Sequence, residues 1–489
     1  MKEKHAGLAQ LGLEYENIAT ALNMALRAHG SILNLYGALS AHFHSTQEFG
    51  RGLALGERVL TGLESYPAEQ LQGRLGLDLA TVAVDTARWQ FMLKHYVEAN
   101  RGFERALALL LENSKIDEST RYKKIASIHH NLGVVAQRQR QWQRAEQHYQ
   151  ESLRIKIEHN DRYSQADTYH QLGGVADLQR QWQRAEQHYR EALRIYAEFN
   201  DRLSQARSYH QLGIVAQEQR QWQQAEQHYQ ESLRIYVEFN DRYEQADTYH
   251  QLGLMAAKQL RWQQAQRHYQ EALSIFIEFN DRLSQADAYH SLGVAAQEQG
   301  QWQQAEQHYQ EALRIKIEFN DRDSQASTYH QLGVVAELRG QWQQAEQHYQ
   351  EALRIKIEFN DRDSQAVTYY QLGGVAVFQG QWELAEHHYR EALRIYTEFN
   401  DRYEQAGAYH QLGRVALEQR RWQQAKACYL ESLGIYVEAK DSKNIIIILE
   451  NIAKLWLASA DASLPAAVAE IMHIELAEAE KVLHRQEDA

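Results

Sequence analysis

The sequence predicts an all-α fold, an α-α superhelix in which antiparallel helical hairpins stack into a solenoid. Three observations predict it. Tryptophans recur at Trp142, Trp182, Trp222, Trp262, Trp302, Trp342, Trp382 and Trp422, a period of forty residues without a slip. Apolar residues inside each period follow helical spacing. The 489 residues include two prolines, Pro67 and Pro465, so the long stretch between them holds no helix breaker.

One unit, residues 201–240, reads DRLSQARSYHQLGIVAQEQRQWQQAEQHYQESLRIYVEFN. Tyr209, Leu212, Gly213 and Ala216 fall at i, i+3, i+4 and i+7, the stripe of an amphipathic helix A. A polar break at Arg220 and Gln221 follows. Trp222, Ala225, Tyr229, Ser232, Leu233 and Tyr236 then mark a second stripe, helix B. Asn-Asp pairs, from Asn160-Asp161 to Asn400-Asp401, punctuate the junctions between units. Asn accepts the left-handed conformation of a C-cap and Asp accepts backbone N–H bonds as an N-cap. Asp241 with Glu244, and Asp401 with Glu404, have capping-box spacing. Small residues at Gly213, Ala216, Ala225 and position 232 let helices approach, with Trp222 and Tyr229 expected to fill the gaps between repeats. A lone hairpin cannot bury such stripes, so the units must stack.

An aromatic, Leu-Gly, Ala, an aromatic and Ala at these offsets resemble the tetratricopeptide repeat over roughly residues 121–440. The unit departs from the usual pattern in having forty residues and no closing proline, and residues such as Arg234 to Asn240 should lengthen helix B. Such forty-residue units look like those of kinesin light chains, cell-polarity adaptors and sensor domains of bacterial signalling ATPases. The resemblance divides the chain into degenerate hairpins at 1–120, eight repeats at 121–440 and capping helices at 441–489. Tyr96, Ala99, Phe103 and Ala106 keep helix-B spacing, Trp89 lies in the helix before them, and Tyr36, Leu39, Phe43, Phe49, Gly52 and Gly56 suggest a more worn hairpin. Residues 443–459 look like a first helix, and Pro465 should open another running toward Leu483. The opening LGLEYENIATALNMALRAHG, Leu11 to Gly30, is similar to the segment that begins the helical sensor of bacterial STAND ATPases. No GxxxxGK[ST] phosphate loop occurs, so the resemblance implies an excised sensor or a free-standing relative.

Composition narrows the function classes. With 52 basic against 65 acidic residues the net charge is -13, which disfavours nucleic acid as a partner. The single cysteine, Cys428, leaves no disulfide framework and fits a cytoplasmic setting. The start MKEKHAGLAQ lacks the apolar stretch of a signal peptide, and the run Ile445 to Leu449 is too short to span a bilayer, so no membrane is expected. No HExxH, GxSxG or EF-hand pattern occurs, and the same polar residues return every forty positions rather than converging. Neither a catalytic residue nor a cofactor is expected, and Cys428 reads as a tolerated replacement for histidine. Two histidine ladders run through the repeats, His130 to His410 with Tyr370 interrupting, and His148 to His388. Packed helices lie about 8–10 Å apart, so neighbouring rungs gather two ligands at best and no metal is expected.

Comparison of the eight copies locates a candidate site. Four columns of helix A vary: those of Asp167, of Gly174, of Asp177 and of Leu178. Their offsets put them on one helical face, with the first histidine ladder among them. The tetratricopeptide resemblance makes this face the concave groove. Candidate ligand-binding residues are therefore Asp167, Asp177, Arg207, Asp247, Asp287, Glu337, Val377, Phe378, Arg414 and Leu417, with His170, His210, His250, His290, His330 and His410. The acidic middle and apolar C-terminal third imply a protein or peptide ligand with an apolar anchor and polar or basic character elsewhere. Drift at untouched positions is the alternative account of the variation. The functional expectation is a non-enzymatic protein- or peptide-binding domain, sharpened by the STAND resemblance to a sensor for an attached or partner ATPase. A constitutive scaffold assembling several proteins is the alternative.

Overall fold

The computed structural model describes residues 15–485, so residues 11–14 of the STAND-like opening lie outside the described part. Among the described residues there are 24 helices and no strand. The first five are α1 (Tyr15–Arg27), α2 (Leu33–Ser45), α3 (Phe49–Glu64), α4 (Arg74–Met92) and α5 (Tyr96–Glu112). The eight repeats run from α6 (Glu118–Arg138) and α7 (Trp142–Glu158) to α20 (Arg402–Glu418) and α21 (Trp422–Glu438). Three helices follow: α22 (Ser442–Ser459), α23 (Leu464–Met472) and α24 (Leu476–Arg485). Contacts divide the chain into two compact units, Met1–Asp241 and Arg242–Ala489, with the division at a repeat junction. No helix among the described residues is long and apolar enough to cross a membrane.

Each helix B begins at its tryptophan, and each junction is built from two adjacent residues. At the end of the helix Trp182–Glu198, Asn200 takes φ 54°. The N–H of Asn200 donates to Ala197 O at 3.2 Å and that of Asp201 to Tyr196 O at 2.9 Å, the two bonds of a Schellman cap. Asp201 then caps the next helix, accepting from Ser204 N at 3.1 Å. Asp281, Asp321, Asp361 and Asp401 repeat this bond at 3.1–3.3 Å. The expected capping box at Asp401 forms only its first arm. The Asp401 N–H is already committed to Tyr396 O at 2.8 Å, so Glu404 cannot reach back to it.

The turn inside each hairpin uses the same geometry. Arg140, Arg180, Arg220, Leu260 and Arg420 have φ of 57–59°, and Gly300, Gly340 and Gly380 stand at the equivalent place in three repeats. Only glycine adopts that conformation without a Cβ penalty.

The tyrosine of helix B fills the gap between repeats as expected, and it also closes its own hairpin. Tyr229 is fully buried over Gly213 of its own hairpin, where a Cβ would lie 2.5 Å from the ring. The ring at this position also reaches onward: Tyr189 packs with Ala176 and Ala185 of its repeat and with Leu212 and Val215 of the next. One aromatic thus closes the hairpin and the stacking interface together. In three repeats the core aromatic of helix B is replaced by Lys156, Lys316 or Lys356, each under 9% exposed. Their ammonium groups donate to Thr168, Thr328 and Thr368 of the following repeat at 2.7–3.1 Å. Burial lowers all three, Lys356 to about 8.

The worn N-terminal hairpin forms as read, with Trp89 buried in α4. The C-terminal end requires a correction. The helix opened by Pro465 stops at Met472, His473 turns left-handed at φ 57°, and a separate helix carries Leu483. Leu464, Val468, Ala479 and Leu483 bury against Ile448, Ile452 and Leu455 of α22, covering the last hairpin of the second unit.

Candidate ligand-binding face

In the first unit, helices α8 (Arg162–Leu178) and α10 (Arg202–Glu218) carry the candidate residues. Asp167 and Arg207 are exposed, and Asp177 is half-buried. Asp167 is tied to its own hairpin, accepting from the Tyr196 hydroxyl at 2.5 Å. Arg207 donates to Ser204 Oγ at 2.7 Å. Burial, with the Glu218 carboxylate of the next repeat as a second cause, pushes Asp177 up to about 6. A basic ligand group placed here would further favour the charged form.

In the second unit, Asp287 and Arg414 are exposed, whereas Asp247 and Glu337 are half-buried. Burial raises Asp247 and Glu337, and Glu337 accepts from the Tyr349 hydroxyl at 2.9 Å. That bond belongs to a set, because Gln137, Gln217 and Gln297 accept from Tyr149, Tyr229 and Tyr309 at 3.0–3.4 Å. This variable column therefore also serves the core. Where it carries Leu417, the Tyr429 hydroxyl is buried without a partner.

The three apolar candidates occupy different environments. Val377 and Leu417 are half-buried and pack on the cores of their hairpins. Phe378 is 63% exposed, but one face of its ring stacks on Trp342 of the preceding repeat, with centroids 4.2 Å apart and planes within 5°. Of the three, Phe378 has the largest free surface, and it stands on an aromatic base.

The histidines lie beneath these residues. His170, His210, His250, His290, His330 and His410 are half-buried, each against the core tyrosine of its hairpin at 5.2–6.2 Å between centroids. Burial depresses all six, and five of them to about 4. They are neutral hydrogen-bonding and packing groups near pH 7. Tyr370 takes the same edge-on position against Tyr389 at 5.4 Å. Among the described residues no three His, Cys, Asp or Glu side chains stand together as metal ligands. Burial raises the Cys428 thiol to about 11, which keeps it protonated and a poor nucleophile.

Sequence reasoning missed a second periodic feature. Phe199 and Phe239 in the first unit, and Phe279, Phe319, Phe359 and Phe399 in the second, cap helix B while remaining 46–56% exposed. Their signal was the recurrent Phe-Asn pair at each junction, read only for its asparagine.

The tetratricopeptide repeat family model matches residues 124–198, 164–238, 244–318 and 324–398. No curated protein matches the chain. Among solved structures, a signal transduction ATPase with numerous domains (STAND) protein with a tetratricopeptide repeat sensor, from Pyrococcus horikoshii, is 14% identical with a TM-score of 0.53. That match covers 76% of this chain and 54% of the other. BtubC from P. vanneervenii is 22% identical with a TM-score of 0.41, covering 46% of this chain and 91% of its own. A putative kinesin light chain from Podosopora anserina with nearly identical repeats is 18% identical, with a TM-score of 0.36 and coverage of 40% and 97%. Matched over more than half its length, and built throughout that stretch from the same two-helix unit, the chain belongs to the tetratricopeptide repeat family, whose repeats are protein-interaction modules.

Proposed function

We propose that the chain binds a protein or peptide along the helix-A faces of its repeats and performs no catalysis of its own. One observation carries this reading. Positions on the solvent-facing side of helix A differ from copy to copy, as in Asp167, Arg207, Asp247 and Asp287, while the exposed glutamines of helix B stay nearly constant. Selection for recognition diversifies one face. Drift alone would have altered the exposed outer helix as well.

The chemistry of the face supports a ligand with basic groups. Asp177 in the first unit, and Asp247 and Glu337 in the second, supply carboxylates held partly out of water, with the exposed Glu218 and Asp287 nearby on the same helix-A faces. Such carboxylates gain most from a cation that replaces lost solvation. Phe378 on its Trp342 base offers an aromatic surface for an apolar anchor. An extended peptide or a helix presents side chains at the spacing such a face requires.

The finer reading is a ligand-sensing module for a STAND-type ATPase, attached or in trans, in a cytoplasmic setting. The opening segment at residues 11–30 supports it, and the fold is compatible with it. The second reading is a constitutive scaffold, favoured by the near-identity of the repeats. Capture from native lysate tests the shared premise. The wild-type chain is compared with one carrying Asp167→Ser, Asp177→Ser, Arg207→Gln, Asp247→Ser, Asp287→Ser, Glu337→Gln and Phe378→Ser. A protein retained by wild type alone supports recognition on the helix-A face; identical recoveries from both baits remove it. X-ray scattering with and without the recovered ligand then separates sensor from scaffold, since only the sensor changes shape.

A further inference from the structure

We infer that the second unit holds a site for a phosphate monoester on a flat apolar body, in a pocket where the helix B Trp262–Glu278 begins. The pocket has a volume of about 480 Å³, within the range of about 300–1,000 Å³ typical of small-molecule sites. Leu260, Arg261, Trp262 and Arg267 line it, with Gln299 from the end of the next helix A. Among the described residues no carboxylate lines it. The equivalent pocket of the first repeat, beside Trp142, has about 340 Å³. The site uses none of the candidate residues of the helix-A face.

Comparison of the eight copies shows how this pocket became basic. Six copies keep Gln at the place of Arg261, six keep Glu at the place of Gln266, and five keep Gln at the place of Arg267. The three changes all move charge the same way, in a chain whose net charge is -13. Gln266 shows the consequence directly. Gln379 donates to Glu346 Oε2 at 3.1 Å, whereas its counterpart Gln299 donates at 3.1 Å to Gln266 Oε1, an uncharged amide. The repeat 401–440 also carries cations in two of these columns, but Arg421 meets Glu386 at 2.8 Å and Lys426 meets Asp461 at 3.0 Å. Arg261 and Arg267 form no ion pair among the described residues, and the buried Arg261 Nε has no hydrogen-bond partner.

The lining sets the chemistry of the ligand. Two guanidinium groups with no carboxylate between them match a phosphate monoester, which carries about -1.5 to -2 near pH 7, more closely than they match a single carboxylate. Trp262 supplies a flat apolar wall and Leu260 a second apolar surface. Leu260 is 72% exposed at φ 59°, at a turn where every other copy places Arg or Gly. The hairpin gains nothing from that strain, and backbone strain kept beside a pocket points to a role in binding. An apolar body lying over Leu260 gives the side chain the burial that its own hairpin does not.

The experiment titrates the full chain by calorimetry with 1-naphthyl phosphate, 1-naphthol and inorganic phosphate. The naphthyl phosphate should bind saturably with a Kd below about 1 mM. The other two should bind at least roughly tenfold more weakly, since each lacks one half of the ligand. Arg261→Gln, Gln266→Glu and Arg267→Gln together restore the residues of the other copies, so the melting temperature should hold while binding is lost. Leu260→Gly should raise the melting temperature and weaken binding several-fold. Phosphotyrosine in an uncharged peptide, titrated beside phenyl phosphate, separates the sources of the group. A gain of roughly tenfold for the peptide assigns the site to a phosphorylated protein, and equal affinity assigns it to a free phosphate ester. No binding of 1-naphthyl phosphate at a few millimolar overturns the inference. So does 1-naphthol as tight as its phosphate, or a triple variant that binds like wild type.

Discussion

Gly213 lies directly under the ring of Tyr229, so that a Cβ on the glycine would come within 2.5 Å of the tyrosine Cε1. The same pairing holds Gly173 to Tyr189, Gly253 to Tyr269 and Gly333 to Tyr349. Leu-Gly in helix A and the tyrosine in helix B are thus one steric device, setting how closely the hairpin closes. Gly213→Ala should destabilise by about 1–3 kcal/mol, the usual cost of overpacking a dense core. In a Tyr229→Leu background the same substitution should cost much less, because the ring it strikes is gone. Gly174 is the contrasting case, with the Tyr189 hydroxyl at an ordinary 3.6 Å from its virtual Cβ. Gly174→Ala should stabilise by about 0.5–1 kcal/mol. Thermal melts of the four variants beside the wild type decide the matter, and equal effects at Gly213 and Gly174 would refute the assignment.

Leu260 occupies the left-handed turn of its hairpin at φ 59° with 72% of its surface exposed. It contributes strain there without compensating burial. Gly300, Gly340 and Gly380 show that the same turn accepts glycine. Leu260→Gly should stabilise the hairpin 241–280 by about 1 kcal/mol, since a left-handed conformation costs a side-chain-bearing residue about 1–2 kcal/mol. Hydrogen exchange resolved by repeat is the appropriate measurement, because stability in a stacked array is partly local. Faster exchange in that hairpin would contradict the prediction.

The Tyr429 hydroxyl is buried without a partner, whereas Tyr149 donates to Gln137 Oε1 at 3.0 Å from the equivalent place. Exchanging the two partners should move stability in opposite directions. Leu417→Gln offers the Tyr429 hydroxyl an acceptor and should gain about 0.5–1.5 kcal/mol. Gln137→Leu strands the Tyr149 hydroxyl and should cost about 1–3 kcal/mol. Urea midpoints for the two variants test this, and a loss at Leu417→Gln would show that its packing on the hairpin core outweighs the hydroxyl.

The repeat made most of the fold legible. A strict period, two helical stripes and the Asn-Asp punctuation place each hairpin, and helix B begins at the tryptophan the period marks. The end of the chain was less legible because it has one copy and no internal comparison. Nothing in the residues around His473 states that a helix should turn left-handed there. The candidate face was legible as a set of positions but not as a set of environments. Gln137 meets Tyr149, and Glu337 meets Tyr349, through the register of two antiparallel helices, a three-dimensional relation that spacing along one helix cannot express.

The half-buried histidines are expected to contribute to the acid limit of folding. His170, His210, His290, His330 and His410 are held near 4 by burial, against about 6.5 in an unfolded chain. Between those values the unfolded state binds more protons than the folded one, so stability rises with pH across that window. The contribution is fully present above about pH 7, is lost progressively from about pH 6.5 toward 4, and changes no further below that. Because the ladder repeats the same group, the losses accumulate along the stack. The melting temperature should therefore be flat from pH 7 to 8 and fall steeply between pH 6 and 4.5, more steeply than surface carboxylates alone would produce. Tyr370 shows that the site accepts a tyrosine, packed edge-on against Tyr389 as the histidines pack against theirs. His170→Tyr, His290→Tyr and His330→Tyr together should flatten the acid limb while leaving the melting temperature at pH 7.5 within a few degrees. An acid limb unchanged in that triple variant would mean that the carboxylates, and not the histidine ladder, govern acid unfolding.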